Sequence, residues 1–290
     1  MSPTALRPRC SIVHPQQSVE TPAEHLFGVG KTDWDTLTVV QTSPPAILDD
    51  DGALPAGVLC LLLDHVIGSA ISTYLDEHQR MVTSHMHLEF LRPIEPGAGP
   101  IVGRIGEVDL VPSSAFCTGT ASLPSGELVS RYSARFAVFS GGEQGGGVVT
   151  DEVPPPQPTE PPVPHEWTAS PIHQVLGTQV LSSESGRVRL TVRAGAHLAN
   201  ERDGVHGGVG GVIGERACEL AIRSLAGSGH RYRPAEMRVL FVRPIAASGT
   251  DIAVEAEVGF LGRTTATTTA RIYRPDGKLA VQVDAVHIVR

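Results

Sequence analysis

Residues 90–94 read FLRPI and residues 241–245 read FVRPI, so one pentapeptide occurs twice at an offset of 151 positions. A constant offset that matches apolar residues with apolar ones and acids with acids over roughly 70 positions indicates an internal repeat. The same offset relates three further pairs of residues, which are Val58 and Val209, Asp64 and Glu215, and Leu110 and Leu261. We therefore predict two diverged copies of one structural unit, near residues 45–140 and 198–290.

Each copy has the same predicted order of elements, one helix followed by four strands. The helices are expected at residues 58–75 and 209–225, and apolar residues cover most of the first, which predicts a buried helix. The strand-like runs are residues 82–91, 101–108, 115–122 and 128–139, and then residues 236–242, 251–260, 264–274 and 279–289. Turn sequences, PSG at 124–126 and PDG at 275–277, join the last two strands of each copy. A buried helix on an antiparallel sheet predicts an α+β fold.

The copies are separated by a segment rich first in glycine and then in proline, residues 140–164. Glycine gives such a segment flexibility and proline keeps it extended, which is typical of a solvated linker. The predicted organisation is an irregular arm at 1–20, a first domain at 21–140, a linker at 141–166 and a second domain at 167–290.

Composition limits the class of protein. Of the 290 residues, 41% are hydrophobic and 19% are charged, which is typical of a globular protein. A net charge of −8 without a cluster of Lys and Arg argues against a nucleic-acid partner. The longest apolar run, residues 58–63, is too short for membrane insertion, and the first 17 residues lack the apolar core of a signal peptide. Four cysteines without CxxC spacing predict free thiols, and we expect a cytoplasmic protein.

The richest stretch for chemistry is residues 200–208, NERDGVHGG, which run directly into the second helix. The first backbone N–H groups of a helix are unpaired donors at its positive end, so they can hold an oxyanion. Glycines at this position let a substrate approach the backbone. Glu215 lies two turns inside the helix, where a buried carboxylate is costly unless it is paired or functional.

These residues resemble a known family. The pattern N-x5-H-G-G, followed by an acid eight residues after its first glycine, is similar to the hotdog-fold thioesterases of the PaaI and 4-hydroxybenzoyl-CoA type. Residues 262–264, GRT, and 275–280, PDGKLA, also resemble the final hairpin of that family. The resemblance covers both halves. It implies a double hotdog, in which each tandem unit has a long central helix wrapped by an antiparallel sheet.

The resemblance also implies an active site between two units. In the family, one unit supplies an Asn and a His-Gly loop whose glycine amide is the oxyanion donor. The partner unit supplies the helix acid, as general base or nucleophile, and often a Ser or Thr on the next strand. Carried onto this sequence, the residues are Asn200, His206 and Gly207 from the second copy, and Asp64 with Thr83, or the adjacent Ser84, from the first.

The opposite pairing of the copies is poorer in these residues. The first copy reads PAG at 55–57, without a histidine, and the second reads RPA at 233–235, near the expected hydroxyl position. We therefore predict a degenerate second site centred on Glu215, although some relatives use Glu at this place and an active Glu215 remains an alternative.

Every one of these residues also has a structural interpretation. Asp64 and Glu215 could be helix acids paired to other groups, and His206 could cap the helix that follows it. Asn200 is a common turn residue, and Thr83 could simply be a strand residue.

The function implied by the resemblance is hydrolysis of an acyl-CoA, with no cofactor beyond the CoA of the substrate. Single-hotdog relatives form dimers and then tetramers, so a homodimer of double-hotdog chains is expected. Two alternatives remain. One is a hotdog hydratase or dehydratase. Residues 55–58, PAGV, faintly resemble the helix start of the dehydratases. The catalytic pattern of these enzymes, a His paired with an acid or an Asn-Pro-x-His run, is not found in the sequence. The other is a non-catalytic acyl-CoA-binding protein with one decayed site.

Two further motifs are weak. His85 and His87 lie on one face of a predicted strand, which permits a metal site, but no third ligand has a recognisable spacing, and no metal is expected. The glycine-rich residues 207–214 do not match G-x-G-x-x-G and no βαβ unit surrounds them, which argues against a dinucleotide.

Overall fold

The computed structural model describes residues 20–76, 78–140, 166–226 and 232–289. The first unit contains α1 (Pro22–Leu26), β1 (Thr38–Gln41), α2 (Leu59–Ser72), β2 (Gln79–Phe90), β3 (Ile101–Val111), β4 (Ser114–Ser122) and β5 (Leu128–Ser140). The second contains α3 (Pro171–Val175), β6 (Gln179–Glu184), β7 (Arg187–Ala194), α4 (Gly207–Ala226), β8 (Tyr232–Phe241), β9 (Thr250–Leu261), β10 (Thr265–Tyr273) and β11 (Leu279–Val289). None of the helices in these ranges is long and apolar enough to cross a bilayer.

The described strands form one eleven-stranded antiparallel sheet that runs through both units. Its order is β1-β3-β4-β5-β2-β8-β11-β10-β9-β7-β6. The units meet where β2 pairs with β8, in a register that runs from His85 opposite Leu240 to Glu89 opposite Glu236. Because backbone hydrogen bonds cross this seam, the two units share one sheet.

The predicted order of one helix followed by four strands is confirmed in both units. The first helix is shorter than expected, since a 3-10 turn at Ala56–Val58 precedes α2 and the α-helix ends at Ser72. The second begins two residues earlier than expected, at Gly207. The sequence did not predict α1, α3, β1, β6 or β7. Residues 1–19 and 141–165 lie outside the described residues, so the arm, the linker and the domain limits stay predictions.

The two central helices pack directly on each other through glycines. A Cβ added to Gly208 would lie 2.6 Å from the backbone nitrogen of Leu61, and one added to Gly57 would lie 3.2 Å from the Cα of Val212. Gly57 and Gly208 are related by the offset of 151, and so are Leu61 and Val212. The crossing is therefore the same contact made twice, and it needs a residue without a Cβ on each side.

We expect Gly208→Ala to destabilise the fold by about 1–3 kcal/mol, because its methyl group would collide with backbone atoms of α2 that cannot move aside. Urea unfolding of the variant and the wild type measures this difference.

Gly68→Ala on α2 is the matched control, since its added Cβ would meet only the flexible end of Met81, at 3.8 Å. Replacing glycine by alanine inside a helix stabilises by roughly 0.5–1 kcal/mol when space permits. A stability change of the same sign in both variants would contradict the close crossing.

Candidate active site

The crossing of α2 and α4 brings together four of the residues that the sequence singles out. Asp64 on α2 accepts a hydrogen bond at Oδ1 from the Thr83 hydroxyl of β2, at 2.9 Å. Its Oδ2 lies 3.6 Å from Nδ1 of His206 and 2.9 Å from the position that a Cβ of Gly207 would occupy. A carboxylate of the first unit thus faces the start of the main helix of the second unit.

The start of α4 offers an unpaired donor at this point. The N–H of Gly208 donates to His206 Nδ1 at 3.2 Å, and the N–H of Val209 donates to the His206 carbonyl at 2.9 Å. Within the described residues, the Gly207 N–H makes no hydrogen bond. An unpaired N–H at a helix N-terminus beside a carboxylate can bind the oxygen of a polarised carbonyl.

His206 caps the helix, as its structural interpretation predicts, and Asn200 has a turn role. The Asn200 Oδ1 accepts hydrogen bonds from the N–H groups of Arg202 and Gly204, at 2.9 and 3.1 Å. These bonds shape the loop that carries His206. No described hydrogen bond links the Asn200 side chain to Asp64 or His206, so a role in orienting the substrate stays a prediction.

The choice between Thr83 and Ser84 is settled by direction. Ser84 donates to the Arg135 carbonyl at 2.8 Å, on the neighbouring strand, whereas Thr83 faces the Asp64 carboxylate. An irregularity in the β2–β5 pairing falls between Thr83 and His85. Thr83 is therefore the hydroxyl that the structure places at the site.

Sequence reasoning missed Glu24, a buried acid on α1. Its Oε1 hydrogen-bonds His65 Nδ1 on α2 and lies 3.6 Å from His206 Nε2. His65 continues the chain of polar groups to Thr32, whose hydroxyl is 3.0 Å from His65 Nε2. The available signal was T-x-x-E at 21–24, which predicts a helix cap but not a site.

The same segment occurs again in the second unit. Residues 21–28, TPAEHLFG, and 170–177, SPIHQVLG, are related by an offset of 149 and form α1 and α3. Both segments end at a glycine with positive φ, Gly28 at 68° and Gly177 at 59°. The repeat therefore extends further than the predicted copies, and His173 occupies the place of Glu24.

The acids and histidines in this cluster favour one another's charged forms although they are buried. Burial disfavours the ionised Glu24, but the imidazoles of His206 and His65 outweigh it and hold the Glu24 pKa well below its usual value. Burial also disfavours a charged His206, yet the carboxylates of Glu24, Asp64 and Glu201 raise its pKa. The site thus combines an ionised acid with a histidine that binds a proton readily.

The second composite site has different chemistry. Both oxygens of Glu215 accept hydrogen bonds from the Arg216 guanidinium, each at 2.6 Å. Arg216 also pairs with Glu219, which in turn pairs with Arg223 at 2.6 Å. At the offset of 151, Pro55 stands in place of His206 and Pro234 in place of Thr83.

In this network of ion pairs, Arg216 holds both oxygens of Glu215, the carboxylate that would have to react at the second site. Burial raises the pKa of Glu215 although Arg216 opposes the shift, and Glu215 and Glu219 together raise the pKa of Arg216 against the effect of its burial. The signal in the sequence was the pair Glu215–Arg216 where the first copy has Asp64–His65. The sequence did not predict that the Arg216 side chain turns toward the Glu215 carboxylate.

Comparison with known proteins identifies a similar family. Residues 52–110 and 204–281 match the family model described as the thioesterase superfamily. Both units of the chain are therefore similar to this superfamily. Both matched segments include a helix acid, Asp64 in the first and Glu215 in the second. None of the curated proteins matches the sequence.

Solved structures similar to this chain show a hotdog fold. A hotdog-fold protein from Alicyclobacillus acidocaldarius is 13% identical, with a TM-score of 0.66 over 94% of this chain and 99% of that one. An acyl-CoA thioesterase II from Mycobacterium marinum is 15% identical, with a TM-score of 0.65 over 92% and 96%. The tesB protein of Mycobacterium avium subspecies paratuberculosis is 12% identical, with a TM-score of 0.63 over 92% and 98%.

A cavity of about 470 Å³ lies beside Glu215, not beside Asp64. Pro55, Leu59 and Phe90 of the first unit and Glu215 and Arg233 of the second are among the residues that line it. Such a volume is sufficient for a small organic ligand. The Glu215 carboxylate at this cavity is held by Arg216, whereas Asp64 keeps Oδ2 beside the start of α4.

Within the described residues, no group of three or more His, Cys, Asp and Glu side chains could hold a metal ion. Of the two strand histidines considered above, His87 pairs with Glu236 across the β2–β8 seam, at 2.9 Å. Ser84 lies 3.4 Å from Nδ1 of the other, His85.

Two buried histidines near the second site predict how stability depends on pH. Burial and Arg216 lower the pKa of His173 to about 3 and that of His287 to about 4. Between pH 6.5 and 4 the unfolded chain therefore binds protons that the folded chain refuses, which lowers stability as pH falls by about 1.4 kcal/mol per pH unit for each histidine.

His287→Gln tests this, since glutamine can keep the 2.8 Å hydrogen bond to Thr268 without titrating. Urea unfolding at pH 7.5 and 5.0 should show a smaller loss of stability in the variant than in the wild type. Equal losses would contradict the depressed pKa of His287.

Proposed function

We propose that this chain hydrolyses an acyl-CoA, or a related acyl thioester, to a free acid and CoA at the composite site between its two units. The observation that carries the proposal is the position of the Asp64 carboxylate of one unit beside Gly207 of the other, a residue whose N–H makes no hydrogen bond within the described residues. A base or nucleophile and an oxyanion donor are the two elements that acyl transfer requires.

The proposed reaction uses these groups in a fixed arrangement. The thioester carbonyl oxygen accepts a hydrogen bond from the Gly207 N–H, where the positive end of α4 stabilises the charge that develops on it. The Thr83 hydroxyl holds Oδ1 of Asp64, which leaves Oδ2 directed at the helix start. His206, from the same loop, caps the helix start through Nδ1 and lies 3.6 Å from Oδ2 of Asp64.

This arrangement allows two chemically balanced reaction routes. In the first, Asp64 takes a proton from water as the hydroxyl adds to the carbonyl carbon, after which the C–S bond breaks and the thiolate of CoA takes up a proton. In the second, Asp64 itself adds to the carbonyl carbon, the thiolate leaves, and water then hydrolyses the anhydride. Both routes give one acid and one thiol from one thioester and one water.

The proposal has a structural side as well. We infer a double hotdog in which α2 and α4 are each wrapped by half of the shared sheet, and a PaaI-like arrangement of the site. Two such chains are proposed to form a homodimer in the cytoplasm, with no cofactor other than the CoA carried by the substrate. The repeat, the shared sheet and the resemblance of the loop at 200–208 support this proposal.

One observation favours a second function, acyl-CoA binding without hydrolysis. The cavity of about 470 Å³ adjoins a Glu215 whose carboxylate is bound by Arg216. A ligand in that cavity would meet a Glu215 carboxylate whose two oxygens are already held by Arg216. The two functions are separated by measuring turnover and binding together.

Asp64→Asn should lower kcat/KM for acyl-CoA hydrolysis by about 10²- to 10⁴-fold, because the amide neither accepts the proton of water nor attacks a carbonyl. Thr83 can still hydrogen-bond the amide oxygen, so the shape of the site is kept. Steady-state hydrolysis of a panel of short, long and aryl acyl-CoAs measures the effect.

Glu215→Gln is the matched control at the equivalent position of the other copy, and we expect it to retain hydrolysis. Thermal unfolding of both variants verifies that they are folded. Hydrolysis that survives Asp64→Asn but is lost in Glu215→Gln would move the site to the second pair of elements. Tight binding without turnover in the wild type would favour the binding function.

A further inference from the structure

We propose that Glu24 is a positioning residue for the hydrolysis proposed above, because its carboxylate keeps the proton of His206 on Nε2 and thereby leaves Oδ2 of Asp64 free. The proposal rests on the function proposed for the Asp64 site. It assigns a role to a helix of five residues that lies outside both segments matched by the family model.

The carboxylate of Glu24 is aimed by its own helix cap. The Thr21 N–H donates to Oε2 at 2.8 Å, and the Thr21 hydroxyl accepts from the Glu24 N–H at 3.3 Å. With Oε2 used by the cap, Oε1 faces two imidazoles, those of His65 and His206. Glu24 is only 5% exposed, so its charge acts on these rings with little screening by water.

The hydrogen bonds of His206 decide which of its nitrogens holds the proton. Its Nδ1 accepts the N–H of Gly208, and a nitrogen that accepts a hydrogen bond there carries no proton of its own. The proton then belongs on Nε2, and the acid on that side is Glu24, whose Oε1 lies 3.6 Å away, just beyond hydrogen-bond distance. An anion next to Nε2 favours this tautomer over the other.

The alternative tautomer would damage the site. With its proton on Nδ1, His206 would lose the bond from Gly208 and would direct an N–H at Oδ2 of Asp64, which is 3.6 Å away. The oxygen proposed to activate water or attack the thioester would then be occupied. Glu24 therefore acts on the reaction through His206, without touching the substrate.

A fully protonated His206 would have the same effect, so the site should lose activity on the acid side. The groups that face His206 are Glu24 from α1, Asp64 from α2 and Glu201 from its own loop, all of them acids that favour protonation. His65 faces Glu24 from the opposite side. Removing the charge of Glu24 should make His206 harder to protonate.

The internal repeat supports a link between Glu24 and His206. In the second unit the position of Glu24 is taken by His173, whose Nδ1 lies 3.2 Å from the hydroxyl of Thr178 in its own unit. At the second composite site, Pro55 occupies the position that His206 has at the first site. Glu24 is thus found beside His206, and its counterpart is a histidine, His173, in the unit where Pro55 replaces His206.

The test is Glu24→Gln in the full chain. Two effects are expected. The maximal kcat falls by about tenfold with little change in KM, because most of the population carries the wrong tautomer, a smaller loss than the roughly 10²- to 10⁴-fold of a group that itself transfers the proton. The acid limb of the kcat profile moves to lower pH by about one unit, since an anion near the histidine is gone.

Thr21→Ala is the matched control. It removes the hydroxyl that caps α1 but leaves the charge of Glu24 in place, so stability should fall while the acid limb stays where it is. An acid limb that moves equally in both variants, or in neither, would overturn the proposal.

A second measurement keeps the proposal separate from the proposed function. The ¹⁵N shifts of the His206 ring, read by two-dimensional NMR without substrate, should show an Nε2–H tautomer in the wild type. They should show a gain of Nδ1–H in Glu24→Gln. An unchanged tautomer in the variant overturns the role of Glu24 even if hydrolysis is found, whereas a changed tautomer in a protein without hydrolysis counts against the proposed function alone.

Discussion

The close approach of the two central helices is the contact on which the rest of the molecule depends. Where Gly208 lies over the backbone of Leu61 there is no room for a side chain, and the same is true where Gly57 meets Val212. This separation lets the carboxylate of Asp64 reach the first turn of the opposite helix. A wider crossing would separate Asp64 from the first turn of α4.

The two composite sites begin from this common geometry and differ in the type of cation beside the acid. Asp64 and Glu24 are neighbours of imidazoles, which gain and lose protons near neutral pH. Glu215 is bound to a guanidinium, which stays charged at any pH that a folded protein experiences. An acid with a permanent partner in bidentate geometry gives stability or specificity to a fold, but neither of its oxygens is free to contact a substrate or a water.

Sequence reasoning was reliable where the evidence was repeated and local. The offset of 151 located both helices and eight of the strands, and the structure brings Asp64, Thr83, His206 and Gly207 together. It failed for α1 and α3, because five-residue helices contain too few turns for a periodic pattern. Glu24 lies 41 positions from His65, so their contact depends on how the chain folds back, and no spacing rule describes that.

The shared sheet has a consequence for how the two halves can change. In a symmetric pair of identical units, every substitution appears in both sites, so a proline that removes one catalytic histidine removes the other too. Here the seam between β2 and β8 holds two unequal units in the arrangement of a pair. Each substitution therefore changes only one of the two sites. Pro55 and Pro234 alter the second site, while His206 and Thr83 are kept at the first.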